Sequence, residues 1–571
     1  AGGGGLHPNC AQTNACIGPD SPNGNEYGCQ CTCYVDPSDW SDHNCPYGFY
    51  CNPDILPNPL LNFGVCQPAF CGNGICDNSE NFSTCPSECE RPVLTQADSG
   101  TQPIAPPQSD FVTVISAPEF QGVGKVYALS GKTGAEKWSK LGENSGDRFG
   151  LHIGVVGDID GDGTNDIVVN APYKKNGYGS QYGKIYLLSG HDGTELWSRM
   201  GEHLYSDTFG NEVGPINDVD GDTIPDIVVS DSSGYGSIGA DTGEVYLLSG
   251  KDGSIIWSRE GEGTNYDYFG EEVLVVNDVT GDQIRDVLVG VPSYTNPFGG
   301  SNLGKVYLLS GEDGVILWSR EGFVQGSDFG GNLLQLEDVD GDDIKDVLFS
   351  EKSFSDLYPE IEVGAIHAFS GATGGFLYYK KGEYYSESLG FSIGEAAAGI
   401  EGFFVSSISD YHGKEKIQFI STETGYLGNV IWSKQNESLF DFFGERVLLV
   451  KNIGMKQGDV EDVLVNASQF DGAAGVDAGK IYLLNGENGN EIWTKEGVAA
   501  DDFFGKILIS TPDITGDDLD EILVSTASYD STTSTRTSRV YLLSGKDGSI
   551  LWEKVGENFN DRFGEQITVL K

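Results

Sequence analysis

The sequence predicts an all-β protein: an eight-bladed β-propeller closed by a split blade, with a small disulfide-rich domain ahead of it. Three observations carry this. A Phe-Gly phrase returns at spacings of 60, 60, 60, 60, 54, 61 and 59 residues. Four short strand patterns fit between consecutive copies, with no room for a helix of ordinary length. All 12 cysteines fall between Cys10 and Cys89. Composition agrees, since 80 glycines and only 2 methionines in 571 residues favour turn-rich β structure over a helical bundle.

The first segment, residues 1–90, holds Cys10, Cys16, Cys29, Cys31, Cys33, Cys45, Cys51, Cys66, Cys71, Cys76, Cys85 and Cys89. So short a stretch cannot bury enough apolar surface to hold itself together, and disulfides supply what is missing. Zinc is the rival reading, but no CxxC…CxxC pair supports it. Disulfides place the chain outside the cytoplasm, secreted or at the cell surface. The opening AGGGGLHPNC reads as a mature terminus left after removal of a signal. Sequons at Asn81, Asn436 and Asn466 are glycosylation candidates consistent with export. Residues 91–109 carry four prolines and no packed pattern, and read as a linker.

Residues 110–571 form the repeat array. Phe149, Phe209, Phe269, Phe329, Phe443, Phe504 and Phe563 precede a glycine, and Leu389-Gly390 fills the gap. Within a unit an apolar run follows Phe-Gly, then an acidic loop, a β-branched run, a Gly/Tyr/Ser-rich stretch, GKIYLLSG and a turn leading to tryptophan. That phrase occurs eight times, ending in Trp138, Trp197, Trp257, Trp318, Trp432, Trp493 and Trp552, with Tyr378 or Tyr379 once. So large a ring is expected to wedge between neighbouring blades. Four strands per unit, repeated radially, make a propeller. The array begins at DFVTVISAP, a second strand, and ends at FGEQITVLK, a first strand. Together they complete one blade, and pairing them closes the ring and removes its open edges. Seven blades is the runner-up count, because the 389–442 unit is degenerate.

Five units contain a nine-residue loop, D-x-[DT]-G-D-x-x-x-[DE]. Its oxygens at positions 1, 3, 5 and 9, with a backbone carbonyl at 7, suit a hard cation that takes six to eight oxygens, so about five Ca²⁺ sites are expected. The ligands are Asp158, Asp160, Asp162, Thr164 and Asp166; Asp218, Asp220, Asp222, Ile224 and Asp226; Asp278, Thr280, Asp282, Ile284 and Asp286; Asp338, Asp340, Asp342, Ile344 and Asp346; and Asp513, Thr515, Asp517, Leu519 and Glu521. Thr280 and Thr515 remove a charge and should weaken their sites. Two units lack the loop: one reads GEAAAGIEG, the other KNIGMKQGDVED, where Asp459 and Asp462 survive without partners.

Lys and Arg number 34 against 86 Asp and Glu, a formal charge of -52. Such a chain repels phosphate backbones and anionic lipid, which argues against nucleic-acid partners. The absence of any run of 18 apolar residues argues against membrane insertion by a helix.

The Phe-Gly phrase, the acidic loop and the Ala-Pro or Val-Pro after the second strand (Asn170-Ala171-Pro172, Gly290-Val291-Pro292) resemble FG-GAP repeats, which build the propeller of integrin α subunits and of many secreted microbial proteins. The resemblance implies calcium at the five loops, extracellular adhesion, ligand or partner binding, and usually no catalysis, while the long Tyr-, Ser-, Gly- and Asn-rich loops between strands two and three suit a protein or glycan ligand. Eight repeats, two dead loops and the Cys-rich head depart from integrins. Copies of the chain itself are the other expected partner: a Cys-rich head docking on the next propeller would build a head-to-tail filament or layer. The phrase Ala128-x-Ser130-x-x-Thr133-Gly134-x-x-x-Trp138 is also similar to the tryptophan-docking motif of quinoprotein dehydrogenases, and a glycan-processing propeller enzyme is the other catalytic alternative. Gly390-Phe391-Ser392-Ile393-Gly394 matches G-x-S-x-G but overlies a predicted strand, where a nucleophile elbow does not form.

Overall fold

The computed structural model describes residues 110–571, apart from 204–207, 235–239, 263–265, 297–301, 323, 356–362, 384–386, 396–401, 409–414, 423–427, 437–440, 451–460, 528 and 531–534. Ahead of residue 110 it describes three strands, Thr32–Tyr34, Phe49–Asn52 and Phe63–Pro68, joined in an antiparallel sheet with the third in the middle. The chain divides into two compact units, Ala1–Ile104 and Ala105–Lys571. The cysteine pairing, the linker, Asn81 and the proposed docking of the head all lie outside the described residues.

The second unit is eight four-stranded antiparallel sheets. Blade 1 is Ile153–Gly157, Asp166–Ala171, Lys184–Leu188 and Glu195–Met200. Blades 2, 3 and 4 start at Val213–Pro215, Glu272–Val276 and Phe329–Gln335. Blades 5, 6 and 7 start at Leu389–Glu395, Phe443–Val450 and Leu508–Thr511. The closing blade takes Ile567–Leu570 from the end of the chain and Val112–Ala117, Lys125–Ser130 and Glu136–Leu141 from its start. Ile567 pairs with Ile115 and Leu570 with Val112, so the split blade forms as the sequence implies. The degenerate unit makes a complete blade, which settles the count at eight. Each innermost strand abuts that of the next blade, and the last abuts the first. A single 3-10 turn, Phe120–Gly122, is the only helical element among the described residues.

The core lies between blades. Eight apolar clusters occupy the eight junctions. At one, Val112, Val114 and Val126 of the closing blade meet Ile167, Val169 and Tyr186 of blade 1. At the next, Val168 and Leu187 of blade 1 meet Ile227 and Val229 of blade 2. Second and third strands are covered on both faces, which is why they read as unbroken runs such as DIVVNA and KIYLL. Six of the seven Phe-Gly phenylalanines meet a third-strand tyrosine edge to face, as Phe149 does Tyr186 at 5.2 Å, and Phe329 meets His367 instead at 5.5 Å. The glycine after it is required twice over: Gly150 has φ +87°, and a Cβ there would lie 2.9 Å from Val126 of the closing blade.

Tryptophan sits at these junctions. Each indole Nε1 donates to a glycine carbonyl of the next blade: Trp138 to Gly190 at 3.0 Å, Trp257 to Gly311 at 2.8 Å, Trp432 to Gly486 at 2.7 Å. Trp552 donates to Gly131 at 2.7 Å and bolts blade 7 to the closing blade. Tyr378 takes the position in blade 4 and reaches Gly428 at 3.4 Å, whereas Tyr379 is 46% exposed. A cation two residues beyond the ring often reinforces the contact, as Arg199 does to the Gly253 carbonyl and Lys495 to that of Gly548.

Candidate metal centres

The acidic loops join the first strand of a blade to its second, so all five open on one face of the disc. The position-1 carboxylate folds the loop around itself. Asp158 accepts the N–H of Gly161 at 2.8 Å and of Asp162 at 3.0 Å on one oxygen, and of Gly163 at 3.0 Å on the other. Asp162 accepts from Thr164 at 2.9 Å. Asp218 and Asp338 repeat the pattern. N–H donors from Gly341, Asp343 and Asp342 hold the Asp338 carboxyl below the usual carboxylate range.

Position 9 differs in kind. Asp166, Asp226, Asp286, Asp346 and Glu521 have no exposed surface. Burial pushes Asp166 and Asp346 up to about 6 and Glu521 up to about 7, and raises Asp226 and Asp286, despite N–H donors that pull the other way. These are buried carboxylates short of positive charge.

Four loops gather three carboxylates whose ligand atoms lie within 4.8 Å of one another: Asp158, Asp160 and Asp166; Asp218, Asp220 and Asp226; Asp338, Asp340 and Asp346; and Asp513, Asp517 and Glu521. In the last, one extra methylene in Glu521 accompanies the loss of a carboxylate at Thr515. One oxygen of Glu521, Oε1, is buried with no hydrogen-bond partner, an acceptor that a cation would satisfy. The 278–286 loop keeps the same frame, with Gly281 N–H donating to Asp278 at 2.6 Å and Val279 N–H to Asp286 at 2.7 Å. There Thr280 turns its hydroxyl onto Asp278 at 3.2 Å. The position-7 residues anchor the loops: Ile224 and Ile284 pack against blade-junction clusters, and Leu519 is buried. Their backbone carbonyls, with that of Thr164 and Ile344, are the expected seventh-position donors. Asp459 lies outside the described residues. Asp462 begins a second strand, where it accepts the N–H of Gly486 at 3.2 Å.

A second set of repeated carboxylates was not anticipated from sequence. Two residues before Phe-Gly, on the opposite face, Asp147, Asp267, Glu387, Asp441, Asp502 and Asp561 are buried. They cap the turn between blades: Asp502 accepts from Val498 at 3.0 Å and Ala499 at 2.8 Å, and Asp147 takes Lys174 Nζ at 3.0 Å. The signal is an acid two residues before every Phe-Gly or Leu-Gly except Phe329, where Ser327 takes the place, and it is masked by the denser loops. Of the sequons, Asn466 is fully buried and donates to the Gly505 carbonyl at 3.0 Å, so the folded chain does not present it. Asn436 is half-buried, with its amide on Glu415 at 3.2 Å. Ser392 lies within the innermost strand of blade 5, its N–H on Ser406 at 3.0 Å. On the face opposite the acidic loops, Tyr178 is 97% exposed at the tip of a second-to-third-strand loop.

The geometry defines the class first: an eight-bladed propeller whose blades repeat an acidic, cation-shaped hairpin. Residues 149–188 match the family described as FG-GAP repeat. The chain is similar to integrin alpha-4 of Xenopus laevis, 25% identical over 30% of this chain and 17% of the relative. It is similar to integrin alpha-2 of Bos taurus, 30% identical over 29% of this chain and 15% of the relative. With integrin alpha-PS2 of Drosophila melanogaster it shares 34% identity over 19% of this chain and 8% of the relative. The chain thus spans less than a fifth of the length of these relatives. BamB from Moraxella catarrhalis, a solved structure, aligns with a TM-score of 0.38 at 14% identity, over 78% of this chain and 91% of that one. The chain is an eight-bladed β-propeller, one blade of which matches the FG-GAP repeat and parts of which are similar to integrin alpha chains.

Proposed function

We propose that this propeller is an extracellular, calcium-loaded adhesion or recognition module that works through its surfaces and not through a reactive centre. The observation that carries the reading is the recurrence of a carboxylate triad at the same hairpin in four blades, always built on positions 1 and 9. Solvated acidic turns have no reason to gather further carboxylates onto the buried position-9 acid, like charge against like charge, in each of these four loops. The ligand set is all oxygen and mixes exposed and buried carboxylates, which suits Ca²⁺ better than Mg²⁺ with its stricter octahedron and retained waters. Asp158, Asp160, Asp162 and Asp166, with the Thr164 carbonyl, would hold one ion, and the corresponding residues of the 218–226, 278–286, 338–346 and 513–521 loops the other four. Bound calcium supplies charge neutralisation and loop rigidity there.

The relatives are integrin alpha chains, and the cysteine density of residues 1–90 suits an oxidising exterior. A protein or glycan ligand would meet the face opposite the calcium loops, where Tyr178 is presented. Calorimetric titration of the chelator-treated protein tests the metal reading: uptake of about five ions, with the 278–286 and 513–521 sites weakest, supports it. No uptake at millimolar calcium sinks it. Binding to immobilised matrix proteins and glycans, with and without chelator, tests recognition.

A further inference from the structure

The buried position-9 carboxylate faces two ways. In blade 1, one oxygen of Asp166 accepts from the acidic loop itself, Ile159 N–H at 2.8 Å, and the other accepts Gly190 N–H at 3.0 Å. The carbonyl of that same Gly190 takes the indole of Trp138 from the closing blade at 3.0 Å. The relay recurs. Asp226 accepts Gly250 N–H at 3.1 Å, and Gly250 takes Trp197 at 2.7 Å. Asp286 accepts Gly311 N–H at 3.0 Å, and Gly311 takes Trp257 at 2.8 Å. Asp346 accepts Gly371 N–H at 3.1 Å, and Gly371 takes Trp318 at 2.8 Å. These glycines have no slack: a Cβ on Gly190, Gly250, Gly311 or Gly371 would sit within 2.0 Å of the carbonyl oxygen of the residue just before the position-9 acid.

Resting on the calcium reading above, we infer that the position-9 carboxylate is a positioning residue that couples each loop's ion to the tryptophan junction with the preceding blade. Calcium in blades 1 to 4 thereby tightens four of the junctions and leaves the others alone. The molecule contains its own controls. In blade 7 Glu521 makes no hydrogen bond to Gly545, the glycine that receives Trp493 at 2.8 Å. In blade 6 Asp462 keeps the relay to Gly486 and Trp432, but the sequence there lacks the loop's other ligands. Trp552 docks on Gly131, in the closing blade, which has no acidic loop. The survival of Asp462 in a dead loop follows: the relay needs it even where no ion binds.

The test uses the full chain labelled with ¹⁵N at tryptophan, each indole N–H assigned by single Trp→Phe variants. At calcium ten times the site Kd, exchange of the Trp138, Trp197, Trp257 and Trp318 indole protons should slow about tenfold, because opening then requires loss of the ion. Those of Trp432, Trp493 and Trp552 should change by less than about twofold on the same linkage. Asp340→Asn should abolish the response of Trp318 alone. By reciprocity Trp318→Phe should weaken calcium binding in blade 4 and leave the other loops unchanged, whether or not Asp340→Asn folds well. Calcium uptake by titration with no indole responding, or with all seven responding alike, would overturn the inference. Absence of uptake would instead overturn the calcium reading on which it rests.

Discussion

Two substitutions in one loop separate what the ion contributes from what the fold contributes. Asp220 is exposed and Asp226 has no exposed surface, yet their ligand atoms share one triad. Asp220→Asn removes an ion ligand and no hydrogen bond of the position-9 acid. At calcium ten times Kd the lost linkage is about 1.4 kcal/mol, and in chelator the effect should be near zero. Asp226→Asn removes more. The carboxylate accepts Val219 N–H at 2.7 Å on one oxygen and Gly250 N–H at 3.1 Å on the other. A carboxamide offers one acceptor, so one buried N–H loses its partner at a cost of about 1–3 kcal/mol. Burial raises the Asp226 pKa, so removing the charge returns part of that and places the net cost toward the lower end. Asp226→Asn should therefore destabilise by about 1 kcal/mol in chelator and about 2.5 kcal/mol in calcium. Urea unfolding followed by tryptophan fluorescence, with calcium and with EGTA, reads all four numbers. An equal cost of Asp220→Asn in both conditions, or an Asp226→Asn that is harmless in chelator, would refute this division between ion and fold.

Other outcomes follow from the same geometry. Asp166 and Asp346 at about 6 and Glu521 at about 7 lie above the unfolded carboxylate range, so without calcium the folded state holds the extra protons. Thermal melts in EGTA should therefore show stability rising as pH falls from 7.5 to 5, and lost as pH rises through 6 to 7. Calcium affinity, measured by titration, should run the other way and drop below pH 6. Gly193→Ala, at φ +75° with a Cβ 2.6 Å from the Trp138 ring, should cost several times what Gly163→Ala costs, since Gly163 at φ +92° faces open space; melting temperatures of the two variants decide it. Trp552→Phe deletes the hydrogen bond to Gly131 and should cost about 1 kcal/mol, read as a lowered urea midpoint. Peptide mapping of glycosylated material should find Asn466 unmodified, because the folded strand buries it.

Much of the fold was legible because repetition averages out local ambiguity. One unit reading four strands is weak, but eight in register fix the blade, and the two chain ends, each a fragment, fix the closure. The tryptophan's role was legible from ring size, though its partner was not: the receiving glycine lies 52 to 54 residues away in the next blade, or 421 residues away for Trp552, and nothing local marks a carbonyl as an acceptor. The acidic loops were legible as a spacing. What sequence could not show is the division of labour inside them. Asp158 and Asp166 are the same letter, but one is exposed and folds the loop while the other is buried and ties it to the preceding blade's tryptophan. The buried acids before Phe-Gly went unread for a related reason: in a chain of 86 Asp and Glu, a lone repeated acid stands out only once burial is known.

The most direct measurement of the central claim is anomalous diffraction from crystals grown in calcium, with data collected where calcium scatters anomalously. The account requires peaks inside the 158–166, 218–226, 278–286, 338–346 and 513–521 hairpins, each within about 2.3–2.6 Å of carboxylate and carbonyl oxygens. Hairpins empty at saturating calcium, with the position-9 acids still buried and ion-free, would contradict it.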